Sequence, residues 1–414
     1  MSQIKTAIRA MAMSVLAVVA LASLAPSSFA AEKEKQISRV IGKEMAAAQK
    51  ALQSNQWAEA LKNLDAASGK SGINAYDRSK IAEFKGFAYI KQGNYKAAMS
   101  AYEDALATGV YGPEESTKTL RTLFTLAASS QQYGKALEFG KKLVDSGAAT
   151  TADLGTMSQL YYQSKDCKNA VAWADKANSA ARKAGDAPKE VHLQIKLQCA
   201  SDANDTAATV AALEDLVRVT GKNQYWNNLI RFMVQDEKED RNLLMLYRVM
   251  YNTNSMSAGN YYVEMSQLLL DAALPGEAQA VLEKAFANNM IKDDQKERTT
   301  RLLNAAKTRA DADRKGLPQF EAEASKNKVG EADVKLGEVY YGFGDYQNAV
   351  KSIQRGLDKG QVKHLDEAYV YMGLAQQQLK NDAEAKKAFG QLKSVPNINP
   401  RVLKLWTLYA EKQI

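Results

Sequence analysis

Two cysteines and two histidines are the only thiol and imidazole groups in this 414-residue chain. His192 and His364 stand alone, with no Cys, Asp or second His at a ligand spacing, so no metal site is expected. The stretch "SGKSG" (Ser68 to Gly72) copies the end of a phosphate-binding loop. Leu64 sits where that loop needs its first glycine, and no strand precedes it. "SKNK" (Ser325 to Lys328) has the Ser-x-x-Lys spacing without its companion motifs. "DADR" and "KDDQ" pair carboxylates without the glycine and spacing of a calcium loop. No nucleophile–base pair survives, and no carboxylate pair of the kind that cleaves polysaccharides stands out from the charged helix faces. The expectation is a protein with no catalytic residue and no cofactor.

The cysteines carry a different chemistry. Lys5 and Arg9 give a positive start, "MAMSVLAVVALASLA" (Met11 to Ala25) is an apolar core, and Ser28 and Ala30 are small at a cleavage position. That core is shorter than the ~20 residues that cross a bilayer. Residues 1–30 therefore read as a signal peptide, with a mature chain from Ala31 in a bacterial periplasm. No later segment is long and apolar enough to span a membrane. In an oxidising compartment an even count favours a Cys167–Cys199 disulfide. The alternative is two buried thiols.

The formal charge is +8, or +6 without Lys5 and Arg9, and basic residues alternate with acidic ones. A nucleic-acid binder would show a basic stripe with interleaved aromatics, and none is present. With 46% hydrophobic residues and only 7 prolines, the chain can bury a large core, and its Ala, Leu, Lys, Gln and Glu usage favours helices.

What positions these residues is a repeat. "GFAYIKQGNYKAAMSAYEDAL" (86–106) returns as "GEVYYGFGDYQNAVKSIQRGL" (337–357). An Ala after a tight turn marks the phase at Ala60, Ala98, Ala136, Ala170, Ala208, Ala278, Ala349 and Ala385. The steps from Ala60 to Ala208 are 38, 38, 34 and 38, and gaps of 70 and 71 on either side of Ala278 each leave room for one degenerate unit. Gly86 and Gly337 are small where two antiparallel helices cross, with Tyr89 and Tyr340 one turn on. Gly93 and Gly344 end the first helix in a left-handed conformation. Ala98 and Ala349 face them, and Tyr102 and Ile353, four residues later, fill the space toward the next unit. Gly373 precedes Ala385 in the last unit in the same way, while the first small residue is lost at Phe124, Ser158 and Lys196. One hairpin cannot bury both faces, so hairpins stack.

On these residues the chain resembles the tetratricopeptide repeat family, most specifically at 80–107 and 331–358. The resemblance implies an all-α, right-handed superhelical solenoid of about ten helix-turn-helix units, with "NPRVLKLWTLYAEKQI" as a C-terminal capping helix. It also implies a concave groove lined by the first helix of each unit. In that phase the groove slots hold Phe87, Lys118, Arg121, Thr125, Gln159, Tyr162, Gln163, Gln267, Asp271 and Tyr341. Such residues suit an extended peptide or a helix, or else pack on the neighbouring helix. The paired Lys and Asn of chaperone-tail binders are absent.

The expected layout is a signal peptide at 1–30, an N-terminal solenoid at 31–290, a charged degenerate repeat or hinge at 291–330, and a repeat pair with cap at 331–414. The run "KTRADADRKG" before Gly-Leu-Pro suggests the hinge. The order of "RVIGKEMAAAQKAL", "LEDLVRVTGKNQYWNNLIRFM" and "AQAVLEKAFANNMIK" is similar to periplasmic repeat proteins associated with TonB-ExbB-ExbD systems. That similarity implies a non-enzymatic scaffold binding envelope proteins, with exopolysaccharide export or outer-membrane assembly as the alternative setting, and a carbohydrate-binding periplasmic protein or enzyme as the alternative from another class.

Overall fold

The computed structural model describes residues 36–414, so the leader read at 1–30 lies outside the described residues. Among those residues there are twenty α-helices and no strand. They fall into two compact units, the first ending at Pro188 and the second running from Lys189 to Ile414.

The first unit is four helical hairpins in succession. These are α1 (Gly42–Gln53) with α2 (Trp57–Ser68), α3 (Ala75–Lys91) with α4 (Tyr95–Ala107), α5 (Pro113–Ser129) with α6 (Tyr133–Asp145), and α7 (Thr151–Gln163) with α8 (Cys167–Lys183). Each hairpin packs on the next through α2 and α3, α4 and α5, α6 and α7. The turns share one local device. Asn55, Gly93, Gln131 and Lys165 all have φ between 57° and 75°. In two of these hairpins the next residue helps: Asn94 and Asp166 accept a hydrogen bond from the third amide of the helix they start.

The crossing inside each hairpin follows a small-against-large rule at a spacing of sixteen. A Cβ on Gly86 would lie 2.6 Å from the Tyr102 ring, one on Gly337 2.4 Å from Ile353, and one on Gly373 2.6 Å from Phe389. The third hairpin inverts the rule: Phe124 takes the first-helix slot, and it is Gly140 that makes room for its ring. At Ser158 the hydroxyl donates to the Ala170 carbonyl of the facing helix at 2.8 Å. The lost small residues are thus compensated across the same contact, not missing.

The second unit begins in the same style with α9 (Glu190–Asp202) and α10 (Thr206–Thr220). Here the phase marker shifts by one residue. Ala208 is exposed, whereas Thr209 is 5% exposed and donates its amide to the Asp205 carbonyl, as Ala98 and Ala170 do to Asn94 and Asp166. The degenerate stretch after it is a true hairpin, α11 (Asn223–Gln235) and α12 (Asp240–Asn252), followed by α13 (Gly259–Asp271) and α14 (Pro275–Ala287). The charged segment read as a repeat or hinge is neither a hairpin nor a break. It is one helix, α15 (Asp293–Lys326), 34 residues long and continuous through Pro318. One missing amide does not end a helix whose flanks pack on α14 and on α16 (Glu331–Gly342). Then come α17 (Tyr346–Lys359), α18 (Leu365–Gln378), α19 (Asp382–Gly390) and α20 (Pro400–Gln413).

Two helices set this unit apart. In α12 seven consecutive residues, Leu244 to Met250, are buried, so the helix is enclosed on every side. The C-terminal helix α20 packs on α19 as a cap would, and also on α10 and α12. It buries Leu405, Trp406, Leu408 and Tyr409, and the Trp406 ring stacks on Phe389 at 5.4 Å.

Candidate functional site

A cleft in the second unit lies along α11, the first helix of its hairpin, and reaches Tyr261 on α13, the first helix of the next. Its volume is about 460 Å³, and Asn228, Arg231, Phe232, Val234, Gln235 and Tyr261 line it. Asn228, Arg231, Phe232 and Gln235 fall at i, i+3, i+4 and i+7, one face of a helix. Phe232 is 36% exposed, and Arg231 makes no ion pair among the described residues. The Tyr261 ring rests 6.2 Å from Tyr247 of the enclosed helix α12, which fixes one wall of the cleft. An exposed aromatic, a cation and two amides on a rigid helix can hold an apolar side chain and bond to a neighbouring main chain. They hold no nucleophile and no general base.

The slots expected in the first unit lie on the first helices of consecutive hairpins: Phe87 on α3, Lys118, Arg121 and Thr125 on α5, Gln159, Tyr162 and Gln163 on α7. Lys118 and Phe87 are exposed, and Phe87 sets its ring edge to Trp57 at 6.2 Å with Lys91 Nζ 5.3 Å over its face. Arg121 is committed to the fold: it donates to Asp153 at 3.2 Å and to the Ala148 carbonyl at 2.7 Å, tying the third hairpin to the fourth. The Thr125 hydroxyl donates to the Arg121 carbonyl. In the second unit Gln267 is half-buried and Asp271 exposed on α13. Tyr341 packs on Tyr371 at 5.1 Å and Tyr346 at 5.6 Å, an internal position and not a wall of the cleft.

Behind the cleft, the enclosed helix carries a charge. Arg248 donates through Nε and Nη2 to the two carboxylate oxygens of Glu277 at 3.0 and 3.1 Å, and through Nη2 to the Tyr371 hydroxyl. That hydroxyl donates to Glu277 at 2.7 Å. On the same helix Arg241 forks onto Asp366 at 2.8 and 2.9 Å and lies 3.6 Å from Glu367. Lys335 bridges Glu338 at 2.9 Å and Glu367 at 3.4 Å. Such a dry, paired cluster fixes geometry. No group of three or more His, Cys, Asp or Glu that could hold a metal occurs among the described residues. Cys167 and Cys199 are joined in a disulfide.

Two stretches, 80–107 and 367–397, match family models for the tetratricopeptide repeat. The chain carries tetratricopeptide repeats. No curated protein sequence matches it. Among solved structures it is similar to the Naa15/Naa10 complex bound to HypK-THB, at 13% identity over 87% of this chain with a TM-score of 0.41. The chain spans 64% of the length of that relative. It is also similar to the TPR2AB domain of yeast Sti1 in complex with an Hsp90 peptide, at 14% identity, 64% of this chain, 98% of the other and a TM-score of 0.34. A tetratricopeptide repeat protein from Parabacteroides merdae aligns at 12% identity over 82% of this chain and 100% of its own, with a TM-score of 0.30.

The matched segments contain the Gly86 and Gly373 hairpins, whose small slots are legible, whereas the Gly337 hairpin at 331–358 lies outside them. The cleft residues lie between them, in the tetratricopeptide-like hairpin that lacks those slots. A signal was nonetheless present: "NLIRFMVQ" places Asn228, Arg231, Phe232 and Gln235 on one face, and Leu229, Ile230 and Met233 on the buried one.

Proposed function

We propose that this chain is a non-enzymatic scaffold that grips a segment of a partner protein along the first helices of its repeats, with the α11–α13 cleft as the principal grip. The observation that carries the reading is Phe232, a large aromatic left exposed beside Arg231, which makes no ion pair among the described residues, in a cleft of about 460 Å³. Tetratricopeptide repeats are interaction modules, and the cleft offers binding groups without catalytic ones.

The working compartment is a cell envelope. The charged, apolar and small-residue order of positions 1–30 supports export, and a disulfide suits an oxidising compartment. The partner class we infer is a component of a TonB-type energy-transduction system, from the order of sequence features described above. The test is in-cell cross-linking of the full chain from a fractionated periplasm, with Phe232→Ala and Arg231→Ala combined as the control. Recovery of inner-membrane energy-transducer components, reduced at least tenfold in the control, is the expected result. Sugar-export or outer-membrane assembly proteins in their place would sink the TonB assignment, and retention unchanged in the control would remove the cleft from the reading. A chain found only in the cytoplasmic fraction would refute export.

A further inference from the structure

The ionic cluster around α12, in which Arg241 and Lys335 reach solvent while Arg248 and Glu338 do not, has one carboxylate too many. Three cations, Arg241, Arg248 and Lys335, face four acids, Glu277, Glu338, Asp366 and Glu367. Glu338 is the acid in the worst position. It is fully buried, its Oε2 takes the Lys335 ammonium, and Lys335 is shared with Glu367. Its Oε1 is buried with no hydrogen-bond partner. Glu338 and Glu277 also line a crevice too narrow to admit a water molecule. Glycines make the crevice that tight: a Cβ on Gly342 of α16 would lie 2.7 Å from the Glu277 amide of α14, and one on Gly276 3.2 Å from the Gly342 carbonyl carbon.

We propose that Glu338 is a proton-linked lock on the second unit: carrying a proton it lets α16 seat against α14 and α18, and ionised it loosens that seat. With one proton on Glu338 the cluster balances at three charges of each sign. Without it, an uncompensated negative charge lies in a dry crevice beside Glu277.

The groups that act on Glu338 come from every side. Lys335 is on its own helix, Glu367 and Tyr371 on α18, Glu277 on α14 and Arg248 on α12. The charges of the two remaining neighbours are engaged elsewhere. Arg355 and Lys359 of α17 pair with Asp333, Arg355 also with Glu321 of α15, and Arg314 of α15 sits over the Phe343 ring. Burial pushes the Glu338 carboxyl up to about 7 from an ordinary 4.5; Glu367 adds to the rise, and Lys335 and Arg248 oppose it. The folded unit then holds a proton that the unfolded chain has released between about pH 4.5 and 7. Stability from this group is whole below 4.5, falls as pH rises through that window, and is lost above about 7.

The experiment is hydrogen exchange by mass spectrometry on the full chain at pH 6 and pH 8, corrected for intrinsic exchange rates. Peptides from α14, α16 and α18 should exchange roughly tenfold faster at pH 8 than at pH 6, and peptides from α3 to α8 should not change. In Glu338→Gln, which cannot ionise, the difference should vanish. Glu367→Gln keeps the lock but removes the acid that raises Glu338 and leaves Lys335 to Glu338 alone, so the loosening should move to lower pH; a move to higher pH would overturn the assignment. An equal pH response in parent and Glu338→Gln would overturn the proposal. Were Glu338→Gln not to fold, the infrared band of a protonated carboxyl in the parent chain, titrating near neutrality, decides the matter; its absence at pH 6 would overturn the lock.

Discussion

The two units obey one local rule and reach different ends. In the first, each hairpin packs mainly on its neighbours, and alanines such as Ala60, Ala98, Ala136 and Ala170 make up about half of the buried apolar set, with larger residues such as Tyr102 and Phe124 set against small ones. In the second, α12 is enclosed and α20 returns to α10 and α12, so residues far apart in sequence share one core. Trp226, Tyr247, Arg248, Tyr371 and Trp406 are among its most deeply buried side chains. A nearest-neighbour stack loses stability hairpin by hairpin. A unit wrapped around one helix should open as a whole. Repeat chemistry therefore fixes how each hairpin closes, while the long-range contacts decide how cooperative the assembly becomes.

The strongest way to break the contrast is Arg248→Met. It removes the cation that two elements depend on and leaves Glu277 buried beside the Tyr371 hydroxyl with its charge uncompensated. Breaking a buried pair in this way costs about 3–5 kcal/mol. Urea unfolding followed by hydrogen exchange should show α12, α14 and α18 losing protection together, with α1 to α8 unchanged. Adding Glu277→Gln should recover part of the loss, because the stranded charge is then gone. Loss confined to α12 alone would mean that the second unit is no more cooperative than the first.

A smaller effect is expected from Gly86→Ala, which tests the rule in the first unit. The new Cβ would lie 2.6 Å from the Tyr102 ring, so the ring or the helix must move, at about 1–3 kcal/mol. Exchange should quicken in α3 and α4 and little beyond them. Combined with Tyr102→Ala the cost should be less than the sum of the two single changes, since each removes the other's conflict.

What could be seen beforehand follows the same division. The small slots at Gly86, Gly337 and Gly373 were legible because they are steric, local and at fixed spacing, but their large partners were not: Tyr102 and Ile353, expected to fill space toward the next unit, close on the glycine of their own hairpin, as Phe389 does. Even so, Ala208 misled by one position, since several alanines crowd that turn and only burial singles out Thr209. The closure around α12 was not legible: Arg241 meets Asp366 across 125 positions and Arg248 meets Tyr371 across 123, distances no periodicity spans. The same closure explains Tyr341, which has the groove slot of its repeat but finds Tyr371 in front of it. In α15 the Gly-Leu-Pro punctuation pointed to a break that packing on α14 and α16 overrides. The cleft was missed because attention went to hairpins that keep the repeat slots, whereas Phe232 lies in one that does not.

The mildest test asks how α20 is fastened to α10. Two ion pairs join them, Lys404 to Glu214 at 2.6 Å and Arg218 to Glu411 at 3.3 Å. They look equivalent as distances but differ in their surroundings. Arg218 and Glu411 are both about half exposed, at 50% and 47% of their side chains, so water and salt replace either partner readily. Glu214 is 9% exposed and its Oε1 already lacks a partner, so losing Lys404 leaves a nearly buried carboxylate with no hydrogen bond on either oxygen. Lys404→Ala should therefore cost about 1–2 kcal/mol, and Arg218→Ala at most about 0.5 kcal/mol. Raising salt should erase the smaller effect and largely spare the larger, because a half-buried pair is screened less. Equal costs for the two substitutions would show that α20 is held by its apolar face alone, with Trp406 and Tyr409 sufficient to close the second unit without ionic help.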